Sequence, residues 1–133
     1  MEYMTMLTEK SVKPSHIRIK VLEYLDKNRI HPTADEIYEG LEKEIPTLSK
    51  TSVYNTVKLF RQAGLIAELT IEEDKLRYDF NTAFHGHFKC ERCGKVYDVP
   101  EKDSDNENLK DFLVKEKNVY YSGVCKGCLG YNK

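Results

Sequence analysis

Tyr78-Asp79-Phe80-Asn81-Thr82-Ala83-Phe84-His85-Gly86-His87-Phe88-Lys89-Cys90-Glu91-Arg92-Cys93-Gly94-Lys95-Val96-Tyr97-Asp98 holds two of the chain's four histidines and two of its four cysteines, flanked by the carboxylates Asp79 and Asp98. His85 and His87 stand two residues apart. In an extended strand such side chains point to the same side, so both imidazoles can face one metal ion. Cys90-x-x-Cys93-Gly94 follows as a tight turn offering two thiolates to a second ion. This one stretch predicts two metal sites packed back to back, one rich in nitrogen and oxygen, the other in sulfur.

The remaining cysteines are Cys125 and Cys128, again with a two-residue gap. Paired C-x-x-C turns signal a tetrathiolate site, and four thiolates on a redox-inert ion suit structural Zn2+. The alternatives are two disulfides or free core thiols. Met1–Lys10 lacks the apolar core of a secretory signal, so a cytoplasmic location is expected, where disulfides are disfavoured. The 31 residues between Cys93 and Cys125 exceed a zinc-ribbon gap and predict a small subdomain between the halves. The second site gathers His85, His87, Asp79 and Asp98 with His31, which precedes Pro32-Thr33 far upstream. Imidazole with carboxylate suits iron, manganese or zinc, and is hard enough for redox-active iron(II).

No apolar run approaches a membrane span, and no membrane association is expected. Net charge is −1; the part up to Leu65 carries +1 and the remainder −2. Any basic surface must therefore be local. Residues 1–13 read as a loosely packed lead-in. Ile17, Val21, Leu22 and Leu25 predict a helix from Ser15 to about Lys27. Thr33-Ala-Asp-Glu36 is a capping box opening a second helix with Ala34, Ile37 and Leu41 inward and Tyr38 alongside, and Pro46 ends that region.

Ser49 and Gly64 bracket a third helix. Val53, Val57 and Phe60 line its inner face; Thr51, Tyr54, Asn55, Lys58 and Gln62 line the outer one. That outer face has no acid, and its mixture can meet base edges and phosphates of double-stranded DNA in a major groove. Tyr54 suits thymine methyls and Asn55 a base edge, while Lys50, Lys58 and Arg61 are phosphate candidates. Alternating strands at Leu65–Ile71 and Lys75–Phe80, joined by Glu72-Glu73-Asp74, complete a winged helix-turn-helix with the third helix as reader. The acidic tip is expected to add little grip on phosphates.

The fold expected is α+β. Residues 1–81 form a winged-helix DNA-binding domain, 82–84 a hinge, and 85–133 a small α/β dimerisation and metal-binding domain with a four-cysteine zinc site. In the last, Ser104-x-x-Glu107 reads as a capping box before a short helix with Leu109, Phe112 and Leu113 inward. Asn118–Val124 reads as a strand that delivers Cys125.

Together, His31-Pro-Thr-Ala-Asp-Glu-Ile-Tyr38, Ser52-Val-Tyr-Asn55, Arg77-Tyr-Asp-Phe80, His85-x-His87 and the paired C-x-x-C turns resemble the ferric uptake regulator family of bacterial metal-dependent repressors, from about Ser15 to Cys128. The chain looks most like the family's peroxide-responsive branch. Asp98 stands where the iron-sensing branch typically has glutamate, and Asn55 where it tends to have arginine.

The resemblance implies a homodimeric repressor of an A·T-rich near-palindrome, with Fe2+ or Mn2+ held by His31, Asp79, His85, His87 and Asp98. It implies that Ser52 opens the reading helix. Ser15-His16-Ile17-Arg18 aligns with the family's Thr-Pro-Gln-Arg, which makes Arg18 a further DNA-contact candidate. It also implies that peroxide oxidises His31 and His85 at bound iron and releases the metal. The protein is consumed by its own signal and is not expected to be an enzyme. No histidine follows His87, so the C-terminal histidine site of some iron regulators cannot form in the same way.

Rival readings are an iron- or zinc-responsive repressor of the same family, an iron–tetrathiolate electron carrier, and a zinc hydrolase using His85, His87 and Asp79. The electron carrier's typical prolines are missing from Glu91-Arg92 and Lys126-Gly127. The hydrolase lacks an evident general base.

Overall fold

Ser15, Thr33 and Ser49 each bend the backbone into an extended conformation and turn an oxygen back onto the amide three residues on, and a helix starts at each. A computed structural model describes residues 2–130. The chain divides after Thr82 into two compact units.

The first unit carries helices α1 (Glu2–Glu9), α2 (His16–Lys27), α3 (Ala34–Leu41) and α4 (Lys50–Gln62), then strands β1 (Ala67–Leu69) and β2 (Arg77–Asp79). At α3 the expected capping box forms: Thr33 Oγ1 accepts from the Glu36 amide at 3.1 Å, and the Glu36 carboxylate accepts from the Thr33 amide at 2.9 Å. At α4 a serine fills the glutamate's place. Ser49 and Ser52 exchange side-chain and backbone bonds at 3.0 and 3.1 Å. Gly64, at φ 79°, ends that helix. Removing the α4 cap by Ser49→Ala should destabilise the first unit by about 1 kcal/mol. A urea melt followed by circular dichroism measures it; an unmoved midpoint would show that the cap contributes nothing.

Val21, Leu22 and Leu25 of α2, Ile37 and Leu41 of α3, and Val53, Val57 and Phe60 of α4 meet in one core closed by Leu65, Ile66 and Tyr78. Three helices and a hairpin in this order make the winged helix-turn-helix.

A loose lead-in was expected over residues 1–13; among the described residues 2–13, α1 is instead a formed helix, with Leu7 and Val12 buried in the same core. The Tyr3 hydroxyl donates to Asp26 Oδ2 at 2.6 Å, which ties α1 to α2. The Val12 amide donates to the Leu7 carbonyl at 2.9 Å across the turn that ends α1. The hairpin is shorter than expected. β1 and β2 pair antiparallel over Ala67↔Asp79, Glu68↔Tyr78 and Leu69↔Arg77, and the acidic run beyond them leaves the ladder.

The second unit is a three-stranded sheet in the order β4-β3-β5. Its strands are β3 (Gly86–Cys90), β4 (Val96–Val99) and β5 (Tyr120–Gly123), and α5 (Lys126–Leu129) follows. β3 pairs antiparallel with β4 and parallel with β5. The helix expected after Ser104 is reduced to one 3-10 turn, Glu107–Leu109, capped by the Asn106 side chain and not by Ser104. Leu109, Phe112 and Leu113, expected inward, are exposed, Leu113 to 85%. A single turn presents no continuous stripe, and among the described residues no layer of this unit lies over these side chains to bury them. The buried hydrophobic residues of the second unit, among those described, are Cys90 and Cys125.

Candidate metal centres

β3 runs straight into the first cysteine turn. The Cys90 amide bonds the Lys95 carbonyl and the Gly94 amide bonds the Cys90 carbonyl, each at 3.0 Å. Gly94 takes φ 78°, a left-handed turn conformation open to glycine without a Cβ penalty. The parallel pairing of β3 with β5 sets Cys90 opposite Gly123, and the chain then delivers Cys125 and Cys128 from the start of α5. All four sulfurs lie within 4.8 Å of one another, and none is in a disulfide. Cys90 and Cys128 sulfurs are 3.8 Å apart, Cys93 and Cys125 3.9 Å. A tetrahedron with metal–sulfur bonds of about 2.3 Å has sulfurs about 3.8 Å apart, so the cluster has the dimensions of a tetrathiolate zinc site.

Its electrostatics point the same way. Backbone amides of Cys93 and Cys125, each 3.4 Å from its sulfur, pull the Cys90 thiol down to about 6. The Tyr97 hydroxyl lowers Cys125 by hydrogen bonding to it. The sulfur of Cys125 in turn pushes Cys128 up to about 12. Four thiolates this close cannot all ionise alone; a divalent cation supplies the missing charge.

The candidate nitrogen and oxygen ligands fall in both units. In the first, His31 Nε2 lies 3.6 Å from Asp79 Oδ2, and both side chains are buried. His31 is a non-glycine residue at φ 60°, followed by Pro32. The loop holding it is tied to β2: Arg77 Nη1 donates to the His31 carbonyl at 2.9 Å, and the Tyr78 amide donates to the Pro32 carbonyl at 3.0 Å. Asp79 Oδ1 accepts the Asn81 amide at 2.9 Å, which fixes its rotation.

In the second unit the β3–β4 register sets His87 directly opposite Asp98. Asp98 Oδ1 is 3.4 Å from His87 Nε2 and 3.2 Å from His85 Nε2. The two imidazole centroids are 4.4 Å apart. His85 Nδ1 lies 2.7 Å from the Ala83 carbonyl. A proton on Nδ1 is held there, leaving Nε2 to offer its lone pair to a metal. Each group matches ordinary imidazole–carboxylate ligation. Arg77 and the Ala83 carbonyl went unassigned in the sequence reading. Arg77 had a signal, a lone cation beside Tyr78-Asp79; a backbone carbonyl has none.

On α4, Lys50, Thr51, Tyr54, Asn55, Lys58 and Arg61 are exposed. Lys50 reaches Asp35 at 3.9 Å, and Arg61 reaches Glu68 at 3.6 Å. Ser52 differs: its hydroxyl is engaged in the α4 cap, accepting from Ser49 N and donating to Ser49 O at 2.8 Å. Arg18, on the first turn of α2, donates to the Lys13 carbonyl at 2.8 Å.

No helix among the described residues is long and apolar enough to cross a membrane. The chain is 36% identical to the peroxide-responsive repressor PerR of Staphylococcus aureus, over 96% of this chain and 89% of that protein. It is 29% identical to the solved PerR of Streptococcus pyogenes, described for peroxide sensing and gene regulation, with a TM-score of 0.55 over 96% of this chain and 90% of that one. The ferric uptake regulator of Pseudomonas aeruginosa, solved with manganese, shares the fold at 21% identity and a TM-score of 0.72, covering 95% and 99% of the two chains. Members of this group are transcriptional regulators rather than enzymes. The model of the ferric uptake regulator family matches residues 9–123, and the chain belongs to that family of metal-dependent repressors.

Proposed function

We propose that this chain is a homodimeric DNA-binding repressor that senses hydrogen peroxide through iron-catalysed oxidation of histidine. The observation that carries it is the grouping of five candidate ligands in two sets: His31 with Asp79 on the first unit, and His85 and His87 with Asp98 on the second. One ion taking all five would span residues 82–84 and set the angle between a DNA-binding domain (residues 1–81) and a dimerisation domain (residues 85–133). Metal and DNA would then favour the same arrangement, and each would strengthen the other's binding.

Exposed apolar side chains on the second unit, among them Phe112, Leu113, Val114 and Leu129, support a partner copy there. The exposed face of α4, with Tyr54 51% accessible, supports groove reading at an A·T-rich near-palindrome. In the thiolate cluster Cys90, Cys93, Cys125 and Cys128 would hold structural zinc. At the five-ligand site, Fe2+ supplies the chemistry that cleaves peroxide and adds one oxygen to an imidazole, with water as the other product; Mn2+ does not do this readily. His31 and His85 would be the oxidised residues. An oxidised imidazole would be a poorer ligand, so His31 or His85 once oxidised would no longer hold the ion, and DNA binding would be lost with it.

A duplex selected from random sequence by the manganese-loaded protein provides the test. Chelation should weaken its binding by about 5–150-fold, the usual range of such coupling. Manganese-treated Asp98→Ala should bind as weakly as the chelated protein. Equal affinity with and without metal would remove the metal-switch reading. An iron- or zinc-supply repressor is favoured by the family match itself; it would pass this test, yet keep its DNA when the iron-loaded protein meets peroxide.

A further inference from the structure

We infer that Arg77 is the positioning residue of the regulatory metal site, holding His31 in the conformation that presents its imidazole to the ion. The inference rests on the proposed ligand role of His31.

His31 is the ligand with the unusual backbone. Its φ of 60° lies in the left-handed region, where a residue with a Cβ stays only if its surroundings hold it. The same φ and ψ that orient its carbonyl also orient its Cβ, so a bond that holds the carbonyl holds the Cα–Cβ direction from which the imidazole extends. Arg77 makes that bond from β2, two residues before the partner ligand Asp79. His31 and Asp79, far apart in sequence, are set against each other by this neighbour.

The guanidinium is a three-way tie. Nη1 donates to the His31 carbonyl and lies 3.6 Å from Glu36 Oε1; Nε is bonded to Glu72 Oε1. Glu36 is also the capping glutamate that accepts the Thr33 amide, so its position is fixed by α3. The Arg77 side chain is 12% exposed and Glu72 10%, which shields that pair from solvent, while Glu36 stands at the surface. A planar fork can serve three acceptors in different directions, and a lysine ammonium on a flexible stem cannot hold the same set. The loop of the wing (Glu72), the start of α3 (Glu36) and a metal ligand (His31) therefore share one cation.

The experiment titrates zinc-loaded protein with Mn2+ for affinity, and with Co2+ for the visible ligand-field spectrum, in wild type, Arg77→Lys, Glu72→Gln and His31→Ala. Arg77→Lys should weaken Mn2+ binding by about 10–100-fold, as loss of a ligand-orienting partner does. Its Co2+ spectrum should move toward that of His31→Ala, while the melting temperature of the zinc-loaded protein without added Mn2+ or Co2+ stays near wild type. That spectral change separates positioning of a ligand from a general loosening. Glu72→Gln keeps Arg77 but neutralises its anchor; it should shift affinity the same way by a smaller factor, and it reads the same link if Arg77→Lys does not fold.

Wild-type affinity and spectrum in a folded Arg77→Lys, with both altered in His31→Ala, overturn the inference and leave the ligand set standing. Wild-type behaviour in His31→Ala as well overturns the ligand role of His31, and the inference with it.

Discussion

Cys125→Ser is expected to abolish the fold of residues 83–130 while the first unit still unfolds cooperatively. The reason is that, among the described residues, no other fully buried apolar cluster holds this unit. The second unit's buried hydrophobic residues, among those described, are Cys90 and Cys125, while Tyr97, Leu109, Phe112, Leu113, Val114, Tyr121 and Leu129 are exposed. A sheet of three short strands without an apolar core is not stable by itself. Small zinc domains draw about 10–16 kcal/mol from their ion, as much as or more than the about 5–15 kcal/mol by which whole domains are stable. Cys125 also anchors the geometry: its amide lies 3.4 Å from the Cys90 sulfur, and it starts α5. Zinc analysis of the purified variant with a two-transition thermal melt measures the effect. The expected result is loss of bound zinc and of the second unit's transition. A zinc-free variant with both transitions intact would show that the cluster is not what holds this unit.

Phe60→Ala should remove about 3–5 kcal/mol from the first unit, the usual cost of emptying a buried phenylalanine site. Phe60 is fully buried on the inner face of α4, beside Val53 and Val57, and is the largest side chain the core encloses completely. It lies four residues before Gly64, where the chain leaves the helix for the hairpin, so the cavity falls where α4, Leu65 and Ile66 meet. Domains of this size are stable by about 5–15 kcal/mol, so the variant loses between about a fifth of its margin and all of it. The outer face of α4 is untouched, which separates this loss from a binding defect. Urea unfolding of the first unit gives the number; a loss under about 1 kcal/mol would mean that the site collapses around the smaller side chain.

The readability of this chain follows the range of the forces involved. Caps are local, and Thr33 and Ser49 each start a helix as their short patterns predict, while the helix from Ser15 is legible in the spacing of Ile17, Val21, Leu22 and Leu25 and has a serine cap as well. The thiolate cluster was legible because two C-x-x-C turns have few other uses, and its sulfurs do converge. α1 was not legible. Met4 and Met6 with Leu7 make a weak stripe, and only a core already built by α2 to α4 explains why Leu7 and Val12 are buried. The apolar side chains at Leu109, Phe112 and Leu113 misled in the opposite sense, since a helical pattern specifies burial only where something lies opposite. At the regulatory ligands, residue types were readable but their support was not. The β3–β4 register places Asp98 across from His87, and Arg77 reaches a carbonyl 46 residues away; both are tertiary facts. Ser52 shows how one residue can satisfy two readings: a member of the reading-helix motif is also half of a helix cap.

The most direct measurement loads the protein with iron(II) and, separately, with manganese(II), adds low peroxide, and weighs the peptides carrying His31 and those carrying His85 and His87. The predicted result is one added oxygen on His31 or His85 with iron only, together with loss of DNA binding. Intact histidines, with DNA binding still following the supply of iron or zinc, would contradict peroxide sensing and make this chain a metal-supply repressor.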